Sequence, residues 1–377
     1  MKRVMIIAGE ASGDMHAGKL ISAVKEKNKE ISFYGIGADN MRKAGAEVLV
    51  DSKEMAVVGL VEIWSHRKII FGALDKMRDE ITRNPPDLLL LVDYPEFNLR
   101  LAKHAKQHGV KVLFYISPQV WAWRQYRVKK IKHLVDMMAV VFPFEEAFYL
   151  KHNVPVRFVG HPLVNEVKPS NDKISLQREF TSDNSMPVIG LLPGSRKSEV
   201  KRLLGIILES AKLIKETINE AQFILPLADT LDEDDLQPLL DEHQSLNIKI
   251  IKNRPYDVIA SCDVALTVSG TVTLEIALLK TPMVIINKVA WLTYALVHKM
   301  LKIDYIGLCN ILADKCIAPE FIQYDATPEK ISTQIVKILS DTAVRNDMVN
   351  ELSNVEPMLG GEGGIDNIAN LTIEMLS

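Results

Sequence analysis

Residues 87–98 read Asp-Leu-Leu-Leu-Leu-Val-Asp-Tyr-Pro-Glu-Phe-Asn. Leu88 to Val92 is apolar on both faces of any strand it forms, the pattern of a central parallel strand covered by helices on either side. The run ends in an acid and a proline-stiffened turn. Working outward from it, short β-rich apolar runs alternate with longer amphipathic stretches along the whole chain. Strands are expected near Arg3–Ile7, Ser32–Ile36, Asp87–Val92, Val112–Ile116 and Met138–Val141, and again near Val188–Leu192, Gln222–Leu225, Lys249–Ile251, Val264–Thr267 and Met283–Ile286. Helical patterns lie between them, including Met15–Asn28, roughly Leu60–Arg83, and Asn98–His108. The expected fold class is α/β with parallel sheets.

A chain of 377 residues is long enough for two domains at ~100–200 residues each. The pattern divides it into a first domain at 1–165, a polar linker at 166–187, a second domain at 188–340 and a helical tail at 341–377. That tail is expected to pack back on the first domain or on a partner chain. Two open α/β sheets joined in this way would place a cleft at their carboxyl ends, where ligands of such sheets bind.

The 47% hydrophobic and 25% charged composition is that of a globular protein with a sizeable core. No run approaches the ~18 apolar residues needed to cross a bilayer, and Glu10 interrupts an amino-terminal run too short for a signal peptide, so a cytoplasmic location is expected. Cys262, Cys309 and Cys316 form no C-x-x-C pair and read as buried small hydrophobes. The net charge of -3 is no signature of a nucleic-acid binder. It conceals a local excess: between Phe97 and Val135 there are nine Lys or Arg and no Asp or Glu, with Trp121, Trp123 and Tyr126 interleaved. Such a stretch suits an anionic membrane surface, although a nucleic-acid or simple phosphate site would use the same residues. The preceding helical stretch adds to it. Ile70, Leu74, Met77 and Ile81 make one apolar stripe; Leu60, Ile63, Trp64 and Phe71 make part of another, with His66, Arg67 and Lys68 between. One stripe suffices for a core-facing helix, so the second is either buried too or rests on a membrane.

Four turns carry chemistry. The first strand runs into Gly9-Glu10-Ala11-Ser12-Gly13-Asp14, where small residues let the backbone approach a ligand at a helix start; more plainly, Ser12 or Asp14 caps that helix. No G-x-G-x-x-G is present, since Gly35-Ile36-Gly37 lacks its third glycine and follows another strand, which argues against a dehydrogenase. Asp93, at the end of the apolar strand, is placed to act as a general base, unless it or Glu96 merely caps the next helix. In the second half, Pro193-Gly194-Ser195-Arg196 delivers a guanidinium suited to phosphate. Ser269-Gly270-Thr271 opens a helix whose N–H groups can cradle phosphate, with Glu275 one turn on in reach of a ribose diol. Asp232-Glu233-Asp234 and the pair His104/His108 read as solvated faces rather than metal sites. Nothing in the residues requires a metal or another cofactor.

Seven segments, Gly9 to Asp14, Asp93 to Asn98, Ser117 to Arg124 (SPQVWAWR), Gly160-His161-Pro162, Leu192 to Arg196, Ser269 to Glu275 and Asn310-Ile311-Leu312, resemble in order and spacing the lipid-A-disaccharide synthase family. The resemblance covers almost the whole chain. It implies the GT-B fold, two Rossmann-like domains facing across a cleft. It also implies inverting transfer of 2,3-diacylglucosamine from its UDP derivative to the 6-hydroxyl of 2,3-diacylglucosamine 1-phosphate, in an enzyme peripheral on the cytoplasmic face of the inner membrane of Gram-negative bacteria. It implies Asp93 as general base, Glu10 as a second essential acid, and Arg196, Asn310 and Gln323 as UDP-binding residues alongside Ser269, Gly270, Thr271 and Glu275. Ser12, Gly13, Asp14, Asn98, Ser117, Trp121 and Arg124 are expected on the acceptor side, and Leu60, Trp64, Arg67 and Lys68 on the membrane surface. A homodimer through the tail is a further expectation. Glu96 stands where many relatives have Asp, and Cys309 where proline is common. Other enzymes that use UDP-N-acetylglucosamine on this fold, a peptidoglycan-type transferase or a non-hydrolysing epimerase, are the alternative.

Overall fold

The computed structural model describes residues 2–55, 63–122, 125–181, 183, 185–289 and 304–377, without the side chains of 63–67. The chain forms two compact units, Met1–Pro162 with Leu359–Ser377, and Leu163–Met358. The first is built on a seven-stranded sheet of β1 (Lys2–Ala8), β2 (Ile31–Gly37), β3 (Glu47–Asp51), β4 (Leu88–Val92), β5 (Lys111–Tyr115), β6 (Met137–Val140) and β7 (Val156–Phe158), in the order β3-β2-β1-β4-β5-β6-β7. Every pairing is parallel. β4 is buried along its whole length, as its unbroken apolar run requires. The order reverses between β1 and β4, where Ala8 lies opposite Val92. A ligand site belongs at such a reversal, outside the carboxyl ends of the two strands.

The second unit repeats the plan with β8 (Val188–Leu192), β9 (Gln222–Leu227), β10 (Lys249–Lys252), β11 (Val264–Val268), β12 (Met283–Asn287) and β13 (Glu320–Ile322), in the order β10-β9-β8-β11-β12-β13. Its reversal falls between β8 and β11. The strands without a counterpart in the sequence pattern, β3, β7 and β13, are all edge strands, and β13 has only three half-buried residues. One flank of an edge faces solvent, so it needs no long apolar run.

Two boundaries differ from expectation. Residues 166–187 are not a free linker: Lys173–Phe180 is a helix, capped by Asp172 accepting from Ser175 N at 3.0 Å. Its Leu176 and Phe180 are buried with Val188, Ile224, Val258 and Cys262. Ser170 N donates to Asp257 at 2.6 Å, fixing the chain ahead of that helix to the second unit. Of the polar residues that suggested a linker, Asp172 caps that helix and Ser170 is bonded to the second unit, while Ser182 and Asn184 lie outside the described residues. The tail is also divided, because the helices Thr342–Ser353 and Val355–Met358 belong to the second unit and only Leu359–Ser377 to the first. Cys262 and Cys309 are buried, but Cys316 is exposed, at the polar turn where the chain leaves Lys315.

The last helix, Gly364–Leu376, buries Ile368, Leu371 and Leu376 against the first unit's helix Ala11–Lys27 and β5. Arg157 pairs with Glu374 through both nitrogens, and Lys27 with Asp366 at 2.9 Å. The seat works because backbone meets backbone: a Cβ on Gly364 would stand 3.2 Å from the Gly160 carbonyl, and His161 N donates to Leu359 O at 2.9 Å. Gly364→Val is expected to cost about 1–3 kcal/mol in urea unfolding. Gly72→Ala, in open space within a helix, should leave stability unchanged or raise it.

Candidate functional site

At the reversal point of the first unit, each strand end is shaped by one residue acting on the other. Asp93 and Tyr94 both adopt left-handed backbone, φ 46°, which costs non-glycine residues roughly 1–2 kcal/mol apiece. Asn98, fully buried, holds this turn by donating Nδ2 to Asp93 O at 2.6 Å and Val92 O at 3.3 Å. Its Oδ1 is buried with no partner among the described residues, a further cost borne at this place. Asp93 N donates to Tyr115 O at 3.1 Å, fastening the turn to β5 as well. On the other strand, Gly9 leaves room for the Tyr94 ring: a Cβ there would lie 2.4 Å from a ring carbon. The β1 turn therefore needs glycine for packing across to the β4 turn.

The result is a partly buried acid. Desolvation pushes the Asp93 carboxyl from 3.8 up to about 6, and the Glu10 charge pushes in the same direction. Neither Asp93 nor Glu96 caps the helix Pro95–Gln107, whose cap position falls on Tyr94 without a side-chain bond. Glu96 instead pairs with Arg127. The helix Ala11–Lys27 likewise has Glu10 at its cap position and no side-chain cap, so its first N–H groups stay open beside the two acids. Ser12 is exposed there and Gly13 buried. Asp14 does not belong to this site. It is buried, and its carboxylate accepts from Ala38 N, Asn40 N, Asn40 Nδ2 and Met41 N at 2.6–3.2 Å, closing the turn after β2.

Beyond β5 the chain passes through Ile116 at φ 64°. A β-branched side chain rarely takes this conformation, and it costs of order 1–3 kcal/mol. Ser117 Oγ, bonded to Tyr149 OH at 2.8 Å, and Trp121, 8% exposed, follow. Glu145, which the sequence did not single out, accepts from Trp121 Nε1 at 3.1 Å and Phe142 N at 3.2 Å. Burial raises its carboxyl to about 7. An acid two places after a proline looks like an ordinary helix start, so its burial has no sequence signal. Arg124 and Leu60 lie outside the described residues, as do the side chains of Trp64 and Arg67. Lys68 is exposed, as are Ile69 and, at 45%, Phe71, with the Arg100 guanidinium 5.6 Å from the Phe71 ring centre. Leu74, Met77 and Ile81 on the other stripe are buried.

In the second unit a cavity of about 280 Å³ opens at the ends of β8 and β9, lined among others by Gly194, Ser195, Asp229, Tyr256 and Glu275. Gly194 takes φ 101°, and a Cβ there would lie 2.9 Å from the Glu199 carboxylate. Burial and the nearby Glu166 raise Glu275 to about 6; Tyr256, facing both acids, is raised to about 12, chiefly by burial. Gly270 has φ 152° and Thr271 is exposed at the start of the helix Val272–Leu278, without a side-chain cap. Ser269 Oγ accepts from Asn287 Nδ2 at 2.7 Å. Arg196 is 78% exposed and paired with Glu199 at 3.0 Å, a solvated guanidinium free to change partner. Asn310 differs from expectation. Its Nδ2 donates to Ala318 O and Glu320 Oε1, both at 2.7 Å, and its Oδ1 accepts from Ile317 N and Ala318 N at 2.9 Å. With both donors and both acceptors engaged, it shapes the loop and has no polar atom left for a ligand. Gln323, φ 54°, accepts from Val289 N at 3.1 Å.

Comparison with known proteins agrees with this architecture. The family model for lipid-A-disaccharide synthetase matches residues 4–358. Lipid-A-disaccharide synthase of Trichlorobacter lovleyi is 50% identical over 375 residues, covering 100% of this chain and 98% of that protein. The enzyme of Nitrosococcus oceani is 51% identical over 373 residues, covering 99% and 96%. Among solved structures, UDP-N-acetylglucosamine 2-epimerase of Neisseria meningitidis bound to UDP-N-acetylglucosamine superposes with a TM-score of 0.64 at 13% identity, covering 100% and 99%. A calicheamicin glycosyltransferase gives 0.59 at 13%, covering 100% and 98%. At such identities the structures speak for the two-sheet fold alone, whereas the end-to-end match at half identity speaks for function. The chain belongs to the lipid-A-disaccharide synthase family of glycosyltransferases.

Proposed function

We propose that this chain transfers 2,3-diacylglucosamine from its UDP derivative to the 6-hydroxyl of 2,3-diacylglucosamine 1-phosphate, with inversion and release of UDP. The observation that carries the catalytic part is the half-buried Asp93 carboxyl, raised to about 6. An alcohol is a poor nucleophile, and a carboxylate in this range is ionised at neutral pH yet a stronger base than an ordinary Asp. Asp93 takes the hydroxyl proton as the acceptor oxygen bonds to the anomeric carbon. The bond from that carbon to the UDP oxygen breaks, its electron pair leaving with UDP. A single displacement inverts the anomeric centre.

The second unit meets the leaving group. The N–H groups at Gly270 and Thr271 and the Arg196 guanidinium suit a diphosphate whose charge grows in the transition state. The cavity beside them suits the nucleoside, with Glu275 for the ribose hydroxyls. Gln323 joins this set, and Asn310 supports it by shaping the 310–320 loop. Glu10, Ser12, Gly13, Ser117, Trp121 and Arg124 serve the acceptor. Product analysis after incubation with donor and acceptor tests the whole reading: a disaccharide phosphate and UDP are expected. Conversion of UDP-N-acetylglucosamine alone, with no disaccharide, would favour an epimerase.

A peripheral position on an anionic membrane, on the cytoplasmic face of the inner membrane, completes the proposal. Among the described residues no helix is long and apolar enough to cross a membrane. The helices Ile63–Arg83, Pro95–Gln107 and Val128–Leu134 pack in succession, and their exposed residues include Ile69, Phe71, Arg100, Lys103, Lys129 and Lys130. Apolar side chains among cations are what a headgroup layer holds.

Asp93→Asn is expected to lower turnover by roughly 10²–10⁴-fold while leaving UDP affinity nearly intact. The same substitution tests the acid's burial. A folded carboxyl raised above its ordinary 3.8 stabilises the fold fully below that value and loses the contribution as pH rises through about 6. At ~1.4 kcal/mol per unit, Asp93→Asn should be about 3 kcal/mol more stable than the parent at pH 8 in urea unfolding, with no gain below pH 4. Arg196→Ala should weaken UDP binding about 10–100-fold by calorimetry, the scale of a lost charged hydrogen bond, and slow the reaction. In liposome flotation, Lys129→Glu with Lys130→Glu should release the protein from anionic vesicles at about 1 kcal/mol or more per charge. Unchanged flotation would make these lysines a merely solvated face.

A further inference from the structure

We propose that Glu145 is a positioning residue for the transfer reaction, a buried brace that holds the 117–121 segment in place through the Trp121 indole. The brace spans two elements. Glu145 Oε2 accepts from Phe142 N at 3.2 Å, which closes the first turn of its own helix, Pro143–Lys151. Its other oxygen accepts from Trp121 Nε1 at 3.1 Å, across twenty-four residues of chain. A helix cap alone accounts for the first bond and neither for the second nor for the burial of Glu145 at 2% exposure. Removing a carboxylate from water is unfavourable unless both oxygens find donors, and here the second donor is the indole.

The segment needs holding. It begins at Ile116, whose β-branched side chain sits on left-handed backbone. Such a conformation persists only where its surroundings over-determine it, and it concentrates at functional sites. Several contacts among the described residues do this. Ile116 N donates to Ala139 O at 3.1 Å, Tyr149 OH bonds Ser117 Oγ at 2.8 Å, and Glu145 grips Trp121. The Trp121 ring also stands edge-on to Phe144 at 4.8 Å, and Phe144 stacks on Phe142 at 5.2 Å. The strained residue follows directly on Tyr115, whose carbonyl accepts from Asp93 N. Release of the indole would therefore loosen a segment that begins one residue from the hydrogen bond fixing the general base. Glu145 touches neither substrate; it acts through Trp121.

This rests on the reading that Ser117 and Trp121 serve the acceptor, and the test separates the two. Donor and acceptor are varied independently in steady-state kinetics of the full chain, as Trp121→Phe, Glu145→Gln and the double variant. Phe keeps the ring and removes the N–H; Gln keeps the shape but offers one acceptor where two are needed. Each single variant should raise the acceptor KM about tenfold with the donor KM within twofold, in protein that still unfolds cooperatively. The double variant should be no worse than the poorer single, because one bond is being broken twice. Additive losses, or a folded Trp121→Phe with unchanged kinetics, would overturn the brace. Non-additive losses that fall on the donor KM would keep the brace and overturn the assignment of the segment to the acceptor. If Glu145→Gln fails to fold, Trp121→Phe alone decides.

Discussion

The pairing of β1 with β4 is the constraint on which the first unit's chemistry depends. Two parallel strands that are sequence-distant become neighbours where the strand order reverses, with Ala8 opposite Val92, and the residues just past each end are Glu10 and Asp93. No local preference brings two acids together. The sheet does, because β4 is apolar enough to be buried on both faces and can sit only in the centre. Once there, Asp93 is partly desolvated and feels the charge of Glu10, and both raise its carboxyl, while Glu10 stays exposed; on the proposed reading this makes Asp93 a base of useful strength. The unfavourable backbone at Asp93 and Tyr94, with the unpaired Asn98 oxygen, is offset by the burial of the surrounding sheet.

The second unit applies the same topology to a different task. At its reversal point Gly194 and Gly270 lie just past β8 and β11, and a cavity with Glu275 in its wall opens at the strand ends. The Arg196 guanidinium is solvated and weakly held by Glu199, which suits the proposed exchange of a protein partner for a phosphate. On the proposed reading a repeated scaffold separates the two needs of glycosyl transfer, proton removal and leaving-group stabilisation, onto two sheets.

How much of this was legible in the sequence depended on whether one residue's surroundings were local. Leu88 to Val92 declared a central strand by its own composition, and Asp93 declared a site by standing at its end. Strands β3 and β7 escaped notice because an edge, solvated along one flank, needs no apolar run. The stretch around Lys173–Phe180 looked like a linker because its caps and outer face are polar, while only Leu176 and Phe180 reach the core. Among polar residues the limit was sharper. Asp14 and Asn310 resemble ligand-binding groups in sequence, yet each spends its hydrogen-bonding capacity on backbone N–H or C=O groups and a neighbouring side chain in its own unit. Glu145 resembles a common helix-start acid and is buried between two segments. Which partner a polar atom meets is decided by tertiary structure, and a single sequence does not display it.

On the proposed mechanism the fold, by partly desolvating Asp93 beside Glu10, makes it a base before any substrate arrives. Direct titration of the Asp93 carboxyl carbon by NMR in the substrate-free protein, assigned by its loss in Asp93→Asn and repeated in Glu10→Gln, tests this most directly. A midpoint near 6 that moves down toward the ordinary range, without reaching it, when the Glu10 charge is removed is the predicted result. A midpoint near 4 in both proteins would contradict the account.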